Sequence, residues 1–334
     1  MSNPYKTRAG GATVTIFVPY DCGNNCPFCI NKKEYADMTG FSAEAICESI
    51  RTMDAITPEC DFVFTGGEPF ANLDSLQVML DAIPRTHKVY INTTLPLLNG
   101  VTEDDIVAFA QKNRDKITCI NVSRHLVKYV KESGDELIAR MPVPVRINCV
   151  LFRDYPKDRL VPYIERIQAL GRPIQFRFDY TDTTPENLYD REHDMIYQDL
   201  CKVARYTGLD GCRMRCGFHF DYTDTTPENL YDREHDKIYQ HLCEIARYTG
   251  LDGCRMRCGF HFDFDGLELT YHKTLPYSTI VEEGEDGVTY DILYDILIKQ
   301  TGEIHSDWTG VKLDVDAYRK VVFEPYDLRW IETM

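Results

Sequence analysis

The chain has 334 residues, 43% of them hydrophobic, which is enough for one large α/β domain or for a domain with an appendage. Its formal net charge of −16 argues against nucleic acid and anionic membrane surfaces as partners. No run of residues resembles a secretory leader or a membrane span. We therefore expect the thirteen cysteines to be reduced thiols of a cytoplasmic protein, some of them metal ligands.

Short β-rich runs alternate with helical patterns through the first half of the chain. The predicted strands cover residues 12–18, 61–65, 88–92, 118–123, 145–152 and 174–179. Helices are expected from about Ser42, around 73–83, from the capped start at Thr102–Asp105, near 126–141 and near 158–170. Six such alternations with nearly continuous apolar strands predict an α/β fold whose parallel sheet is buried on both faces.

Polar residues close several of the predicted strands. Asn92, Ser123, Asn148 and Asp179 each stand at a strand's carboxyl end. In barrels of alternating strands and helices, that end of the sheet carries the active site. Each residue could instead only cap a loop, and both interpretations are open.

An internal repeat follows the alternating region. Residues 179–220 recur as residues 221–262, with 38 of 42 positions identical. Two copies are too few for a solenoid. The edges of the two copies are similar: they read FRFDY at 176–180, FHFDY at 218–222 and FHFDF at 260–264. Such similar edges would allow one segment to be duplicated in frame. We interpret the repeat as a tandem duplication within a single-copy scaffold.

The last segment, 263–334, is predicted to be a mixed α/β extension. A hairpin is expected to turn near Asp265–Gly266, and a second turn is expected at Asp286–Gly287. Trp308 and Trp330 are its expected packing anchors.

Two motifs carry the chemistry. Cys22, Cys26 and Cys29 form a CxxxCxxC triplet in the loop after the first predicted strand. Zinc sites and iron–sulfur cages ordinarily take four protein ligands, so three leave one corner of a metal centre open. After the second predicted strand comes TGGEPF, Thr65–Phe70, whose glycines permit close backbone approach and whose Glu68 offers a carboxylate. Alone, GGEP could be only a turn.

Together, in this order and on these elements, the two motifs resemble the radical S-adenosylmethionine superfamily. The resemblance implies a partial (β/α)6 TIM-like barrel over residues 1–180. It also implies a [4Fe–4S] cluster on Cys22, Cys26 and Cys29, with S-adenosylmethionine on the fourth iron. A reductant such as flavodoxin or ferredoxin would supply the electron that yields a 5′-deoxyadenosyl radical, which takes hydrogen from a peptide or small-molecule substrate.

The resemblance also implies roles for residues near S-adenosylmethionine. Phe28 would lie near the adenine, and the Gly66–Gly67 backbone with Glu68 would hold the methionine amino group. Ser123 and Arg124 would contact the ribose or carboxylate. The further candidates for cofactor binding are Asn92 and Asn148. No clear GxIxGxxE stretch is present around the fifth strand.

The other cysteines divide into two groups. Those within helix or strand patterns are expected to be plain buried side chains, namely Cys47, Cys60, Cys119, Cys149, Cys201 and Cys243. The pairs Cys212/Cys216 and Cys254/Cys258 follow a glycine ahead of a hairpin, which resembles the auxiliary-cluster (twitch/SPASM-like) extensions of the superfamily. A second iron–sulfur cluster, a zinc site and unligated thiols remain open. Cys254 and Cys258 belong to the copy that leads directly into the segment after the repeat, as a single copy would, and they are therefore the favoured pair.

Two alternative functions share the same core. One is an activase of glycyl-radical enzymes, against which the long C-terminal part argues. The other is a non-catalytic iron–sulfur electron-transfer or sensing protein, which would have no need for the GGEP motif.

Overall fold

The computed structural model describes a large part of the chain. The described residues are 5–7, 12–18, 22, 24, 26–27, 29, 40–57, 60–126, 133–151, 156–178, 206–208, 219–220, 237–251, 259–272, 279–283, 287–293, 295–306 and 312–315. Several predicted features lie outside them: Phe28, the repeat cysteines Cys201, Cys212, Cys216, Cys254 and Cys258, and Trp308 and Trp330.

Strands and helices alternate through the first half of the chain as the sequence predicts. In chain order they are β1 (Tyr5–Thr7), β2 (Thr13–Val18), α1 (Ala43–Ile56), β3 (Asp61–Gly66), α2 (Leu73–Ala82), β4 (Lys88–Thr93), α3 (Glu103–Lys112), β5 (Ile117–Ser123), α4 (Asp135–Arg140), β6 (Val145–Leu151), α5 (Leu160–Ala169) and β7 (Ile174–Phe178). Short 3₁₀ turns, Pro69–Ala71 and Lys157–Arg159, precede α2 and α5. Of the helix expected near 126–141, the described part is α4.

The second half contributes mainly strands. Its described elements, nine strands and one helix in chain order, are β8 (Tyr206–Gly208), β9 (His219–Phe220), α6 (Lys237–Ile245), β10 (Arg247–Leu251), β11 (Gly259–Phe264), β12 (Leu267–His272), β13 (Thr279–Glu283), β14 (Thr289–Leu293), β15 (Asp295–Ile298) and β16 (Ile304–His305).

Local signals explain where two helices begin. The side chain of Ser42 accepts a hydrogen bond from the backbone N–H of Ala45 at the start of α1, and Thr102 and Asp105 form a complete capping box at α3. In α1, Ile46, Ile50 and Met53 recur at helical spacing and are fully buried. The predicted starts of both helices are confirmed.

The main sheet is open and has strand order β10-β11-β12-β7-β6-β5-β4-β3-β2-β15-β16. Strands β2 to β7 are parallel and lie in sequence order. Because right-handed crossovers between neighbours in sequence order all pass on the same side, the helices cover one face of this sheet. That is the arrangement of a partial (β/α)6 barrel, so the predicted fold class is confirmed.

The C-terminal part adds strands to both edges of this parallel sheet. Strand β12 pairs with β7 and β15 pairs with β2, both in parallel. The hairpin predicted at Asp265–Gly266 joins β11 to β12, with φ angles of 47° and 87° at its two turn residues. Strands β13 and β14, which flank the second predicted turn in sequence, pair antiparallel; Asp286 of that turn lies outside the described residues. The segment expected to be an extension therefore continues the sheet of the core.

The two repeat copies form the same hairpin in different places. In the first copy Tyr206 pairs with Phe220 and Gly208 with His219, in a separate two-stranded sheet. In the second copy the equivalent residues, Tyr248 with Phe262 and Gly250 with His261, pair in the same shifted register. This second hairpin joins the main sheet through β12.

The two faces of the parallel sheet differ. One face is apolar and packs with the helices in a single core that includes Val14, Phe62, Ile120 and Ile147. On the other face, register neighbours such as Asn92 and Asn121, Ser123 and Asn148, and Asn148 and Gln175 lie side by side. We call this second face of β4–β7 the polar face. These four strands are therefore apolar on one face only, although Asn121 and Gln175 on the polar face are also buried.

Two expectations about buried cysteines are also wrong. Cys119 is only half-buried, because its position on β5 pairs with Tyr90 on the polar side of the sheet. Cys243 is exposed although the adjacent Leu242 is fully buried, since consecutive residues of a helix point about 100° apart. Cys47, Cys60 and Cys149 are buried as predicted.

No helix among the described residues is long and apolar enough to cross a membrane.

Candidate active site at the carboxyl end of the sheet

The cysteine triplet follows β2 at the carboxyl end of the parallel sheet. Cys22, Cys26 and Cys29 are half-buried and form no disulfide, and the backbone N–H of Cys29 donates to the carbonyl of Cys26 at 3.1 Å. Within the described part of the chain, no three Cys, His, Asp or Glu side chains lie close enough together to hold a metal ion. The three thiols thus share one loop without converging on one point.

Gly66 ends β3 directly beside that loop. Its φ is +118°, and a Cβ atom there would lie 2.4 Å from the carbonyl oxygen and 2.8 Å from the nitrogen of Val18. The next backbone N–H, of Gly67, donates to the same Val18 carbonyl at 2.7 Å. The close approach that requires a glycine at Gly66 is therefore to the strand that leads into the cysteine loop.

Glu68 is 1% exposed and accepts four hydrogen bonds from within the chain. Its Oε1 accepts from the Phe70 N–H at 3.2 Å and the Thr93 hydroxyl at 2.5 Å. Its Oε2 accepts from the N–H and the hydroxyl of Thr94 at 3.1 and 3.3 Å. These donors fill the acceptor sites of a carboxylate. Burial raises the pKa of Glu68 to about 7, although the hydrogen bonds partly offset that increase.

Thr94, just past β4, joins the ends of four strands. Besides its two bonds to Glu68, its hydroxyl accepts from Asn24 Nδ2 in the cysteine loop at 3.0 Å. Its carbonyl accepts from Arg124 Nη1, after β5, at 2.8 Å. The segments that follow β2, β3, β4 and β5 therefore meet at one residue.

Arg124 is completely buried. Its guanidinium donates to the carbonyls of Thr94, Ser123 and Ser133, and also to the hydroxyl of Ser133. A guanidinium can donate five hydrogen bonds, and this one uses several of them to hold backbone carbonyls. In this structure Arg124 ties the loop after β4 to the segment before α4.

His125, the next residue, is held neutral at the same edge. Its Nδ1 accepts from the backbone N–H of Val150 at 3.2 Å, which leaves the proton on Nε2. Burial, and secondarily the positive charge of Arg124, lowers the pKa of His125 to about 4.

Asn92 and Ser123, both predicted cofactor contacts, are half-buried on the polar face. The Oδ1 of Asn92 accepts from Asn121 Nδ2 at 2.8 Å. Arg146 donates through Nε and Nη2 to Asn121 Oδ1 at 3.1 and 2.9 Å. A hydrogen-bonded row of side chains therefore crosses β4, β5 and β6.

Asn148, opposite Ser123, differs from these residues. Its Oδ1 is buried and has no hydrogen-bond partner among the described residues. A buried acceptor without a donor costs free energy. Because the atom lies next to Ser123 near the carboxyl end of the sheet, a donor group of a bound molecule would satisfy it.

The sequence motifs missed three residues of this site. Asn24 lies inside the cysteine motif but is not a cysteine, and Thr93 and Thr94 follow the predicted Asn92. The run of polar residues in "INTTLP" at 91–96 is the signal that could have drawn attention to them.

The residues present fit an iron–sulfur cluster and S-adenosylmethionine. Three thiols on one loop, none of them in a disulfide, are the donor set of a cluster with one open iron. The unsatisfied Asn148 Oδ1, on β6 of the same sheet, is suited to a ligand that carries amino or hydroxyl donors.

Comparisons with known proteins agree with these residues. The family described as "4Fe-4S single cluster domain" matches residues 9–137. The Drosophila melanogaster protein "Molybdenum cofactor biosynthesis protein 1" is 23% identical over 151 residues, which are 42% of this chain and 26% of that protein. The chain therefore spans about a quarter of this relative.

Two solved structures are similar at low identity. Streptococcus suis SuiB, bound to the precursor peptide SuiA, is 12% identical and has a TM-score of 0.48 over 94% of this chain and 64% of that chain. The structure of anSMEcpe with bound AdoMet and a peptide is 16% identical, with a TM-score of 0.38 over 50% of this chain and 51% of that one.

The cysteine triplet and the GGEP motif both lie within the segment that the family matches. Residues 9–137 are similar to 4Fe–4S single-cluster domains, which agrees with an iron–sulfur cluster on Cys22, Cys26 and Cys29.

Proposed function

We propose that the whole chain is a radical S-adenosylmethionine enzyme that cleaves its cofactor reductively and abstracts hydrogen from a peptide or small-molecule substrate. The observation that carries the proposal is the meeting of the cysteine loop and the GGEP turn at Thr94. This contact brings both sequence motifs to the carboxyl end of one open parallel sheet.

The roles of the residues follow from their positions. Cys22, Cys26 and Cys29 would hold the cluster as thiolates, and the cluster, when bound, supplies the electron that generates the radical. Asn148 would accept a hydrogen bond from S-adenosylmethionine, and Ser123 beside it is its candidate partner. Glu68, whose acceptor sites are filled within the chain, and Arg124, whose two Nη atoms donate to backbone carbonyls, would hold the strand ends in place. A direct contact of Glu68 with the cofactor would require one of its bonds to break.

The polar face is the proposed location of the substrate. It carries the row Asn92–Asn121–Arg146 and, further along, Arg177, which donates through Nε and Nη2 to Gln175 Oε1 at 3.2 and 3.0 Å. Amide groups and guanidinium groups together favour a polar substrate. A flavodoxin or ferredoxin is the proposed reductant, and the oxygen-sensitive cluster favours the reducing cytoplasm.

Cys254 and Cys258, or their copies Cys212 and Cys216, are the proposed ligands of a second iron–sulfur cluster. The hairpin of the second copy joins the main sheet, which supports the choice of Cys254 and Cys258, whose positions in the sequence fall between β10 and β11. Iron and sulfide counts on a Cys254→Ala/Cys258→Ala variant test this assignment. A count unchanged from the wild type excludes these two residues as ligands.

The duplication is the proposed origin of residues 221–262. Deleting them would join Phe220 to Asp263 and give the first copy the same downstream connection that the second copy has. Because both copies have the same hairpin register, the shortened chain should fold and keep its cluster. Loss of folding would contradict this account.

The function is tested by anaerobic reconstitution with iron and sulfide, followed by reduction with dithionite in the presence of S-adenosylmethionine. We expect 5′-deoxyadenosine and methionine as products. The control is the variant in which Cys22, Cys26 and Cys29 are all alanine. A cluster that forms without any 5′-deoxyadenosine would favour an electron-transfer or sensing protein. Formation of a glycyl radical on a partner enzyme would identify an activase.

A further inference from the structure

We propose that Thr94 is a positioning residue whose hydroxyl holds the cysteine loop in place through Asn24. This proposal rests on the proposed function, since the loop carries the three cysteines that would bind the cluster. Asn24 lies 70 residues from Thr94 in sequence, and their 3.0 Å hydrogen bond joins the loop after β2 to the end of β4.

The hydrogen-bond roles at Thr94 are determined by its partners. Ionised Glu68 can only accept hydrogen bonds, so the Thr94 hydroxyl, 3.3 Å from its Oε2, donates to it beside the Thr94 N–H at 3.1 Å. A hydroxyl has one hydrogen to donate, and its lone pairs are then left to accept. The amide Nδ2 of Asn24 supplies the matching donor. Ionised Glu68 can only accept from the Thr94 hydroxyl and Asn24 Nδ2 can only donate to it, so the two partners cannot exchange roles.

The backbone of Thr94 is fixed as well. Its N–H is bound to Glu68 and its carbonyl to the buried Arg124. Glu68 is in turn bound to the N–H of Phe70 and to Thr93. Because every polar group of Thr94 is bound to a buried or half-buried partner, its hydroxyl offers the loop a rigid attachment point.

Such an attachment matters because the three thiols must meet at one cluster. Within the described part of the loop, the N–H of Cys29 donates to the carbonyl of Cys26 at 3.1 Å, and the thiol of Cys22 contacts the carbonyl of Asn24 at 4.0 Å. Both are contacts inside the loop, whereas the bond from Asn24 to Thr94 joins the loop to the sheet. Each loop residue that is ordered on cluster binding costs conformational entropy. A side-chain bond from Asn24, which lies between Cys22 and Cys26, removes part of that freedom in advance.

The chain offers closely matched variants for a test. Thr94→Val removes the hydroxyl but keeps the shape, Asn24→Ala removes the other partner, and Thr94→Ser retains the bond. Thr57→Val is the control, since Thr57 is also a buried threonine, and its hydroxyl donates to the carbonyl of Met53 at 2.7 Å at the amino end of the sheet. Two rates are measured on the full chain: iron loss to a chelator after reconstitution, and alkylation of the loop cysteines by iodoacetamide without iron.

We expect Thr94→Val and Asn24→Ala each to raise both rates about 2- to 10-fold, the range that corresponds to one net hydrogen bond. The double variant should be no faster than either single variant, because both remove the same bond. Thr94→Ser and Thr57→Val should behave like the wild type.

Wild-type rates in Thr94→Val and Asn24→Ala, or fully additive effects in the double variant, would overturn the proposal. A wild-type chain that takes up no cluster would refute the proposed function instead. In that case the alkylation rates still decide whether Thr94 holds the loop.

Discussion

The two ends of the parallel sheet both carry buried polar groups and cysteines, but they are built differently. At the amino end, His87 accepts from the Cys60 N–H at 3.3 Å through Nδ1, and its Nε2 lies 2.7 Å from Asp54 Oδ1. These two contacts link α1 to the segments that precede β3 and β4, and both nitrogens of the His87 ring have a partner within the chain. At the carboxyl end, the loops after four strands meet at Thr94, and Asn148 Oδ1 is left without a described partner.

The position of a cysteine relative to the sheet decides whether its thiol can serve as a metal ligand. Cys60 is 3% exposed, and burial raises its pKa to about 12, so it remains a protonated thiol. Cys22, Cys26 and Cys29 are half-buried on a loop at the opposite end. Only thiolates bind iron, so the buried cysteine is structural and the loop cysteines are available as ligands.

Replacing the cysteines at the two ends should give the largest contrast. Cys22→Ala, Cys26→Ala and Cys29→Ala should each abolish cluster binding and formation of 5′-deoxyadenosine, because each removes a ligand. Cys60→Ala should keep both and lower the free energy of unfolding by roughly 1 kcal/mol through lost packing. Iron content, product assays and denaturant unfolding measure these effects. Full activity in any loop variant would contradict the assignment.

Gly66 tests whether the carboxyl end depends on tight backbone packing. Gly66→Ala should destabilise the fold by roughly 2–5 kcal/mol, since its φ is +118° and a Cβ would strike the Val18 backbone. Gly100→Ala is the matched control, because Gly100 also has positive φ, +80°, but open space around it. That variant should cost only about 1–2 kcal/mol. Equal unfolding free energies of the two variants would show that the contact with Val18 is unimportant.

Glu68 makes the carboxyl end sensitive to pH. Between about pH 4.5 and 7 the folded chain keeps this carboxyl protonated while the unfolded chain releases the proton. Stability should therefore fall as pH rises through this window, by up to roughly 3 kcal/mol. Glu68→Gln should remove this component. Melting temperatures of both proteins across the window measure it, and parallel curves would mean that Glu68 does not titrate there.

The sequence predicted those parts of the molecule that depend on local patterns. Apolar spacing and caps at Ser42 and Thr102 determine the helices, and the motifs brought attention to Cys22 and Glu68. The role of Thr94 could not be predicted, because it depends on how the ends of four strands lie relative to one another. The exposure of Cys243 was missed for a similar reason, since the rotation of α6 against the core decides which of two adjacent residues is buried.

Asn148 should show the smallest effect on stability and the most specific effect on function. Its unsatisfied Oδ1 contributes nothing to the folded chain alone, so Asn148→Ala should leave the melting temperature unchanged or raise it slightly. If S-adenosylmethionine donates to this atom, its affinity should fall about 2- to 10-fold, as expected for one hydrogen bond. Asn121→Ala is the control. Asn121 lies on the same polar face but is bonded to Asn92 and Arg146, so its loss should lower the melting temperature. Calorimetric titration of the reconstituted proteins measures the affinities. An unchanged affinity in Asn148→Ala would remove this residue from the cofactor site and leave its buried oxygen as a cost of the fold.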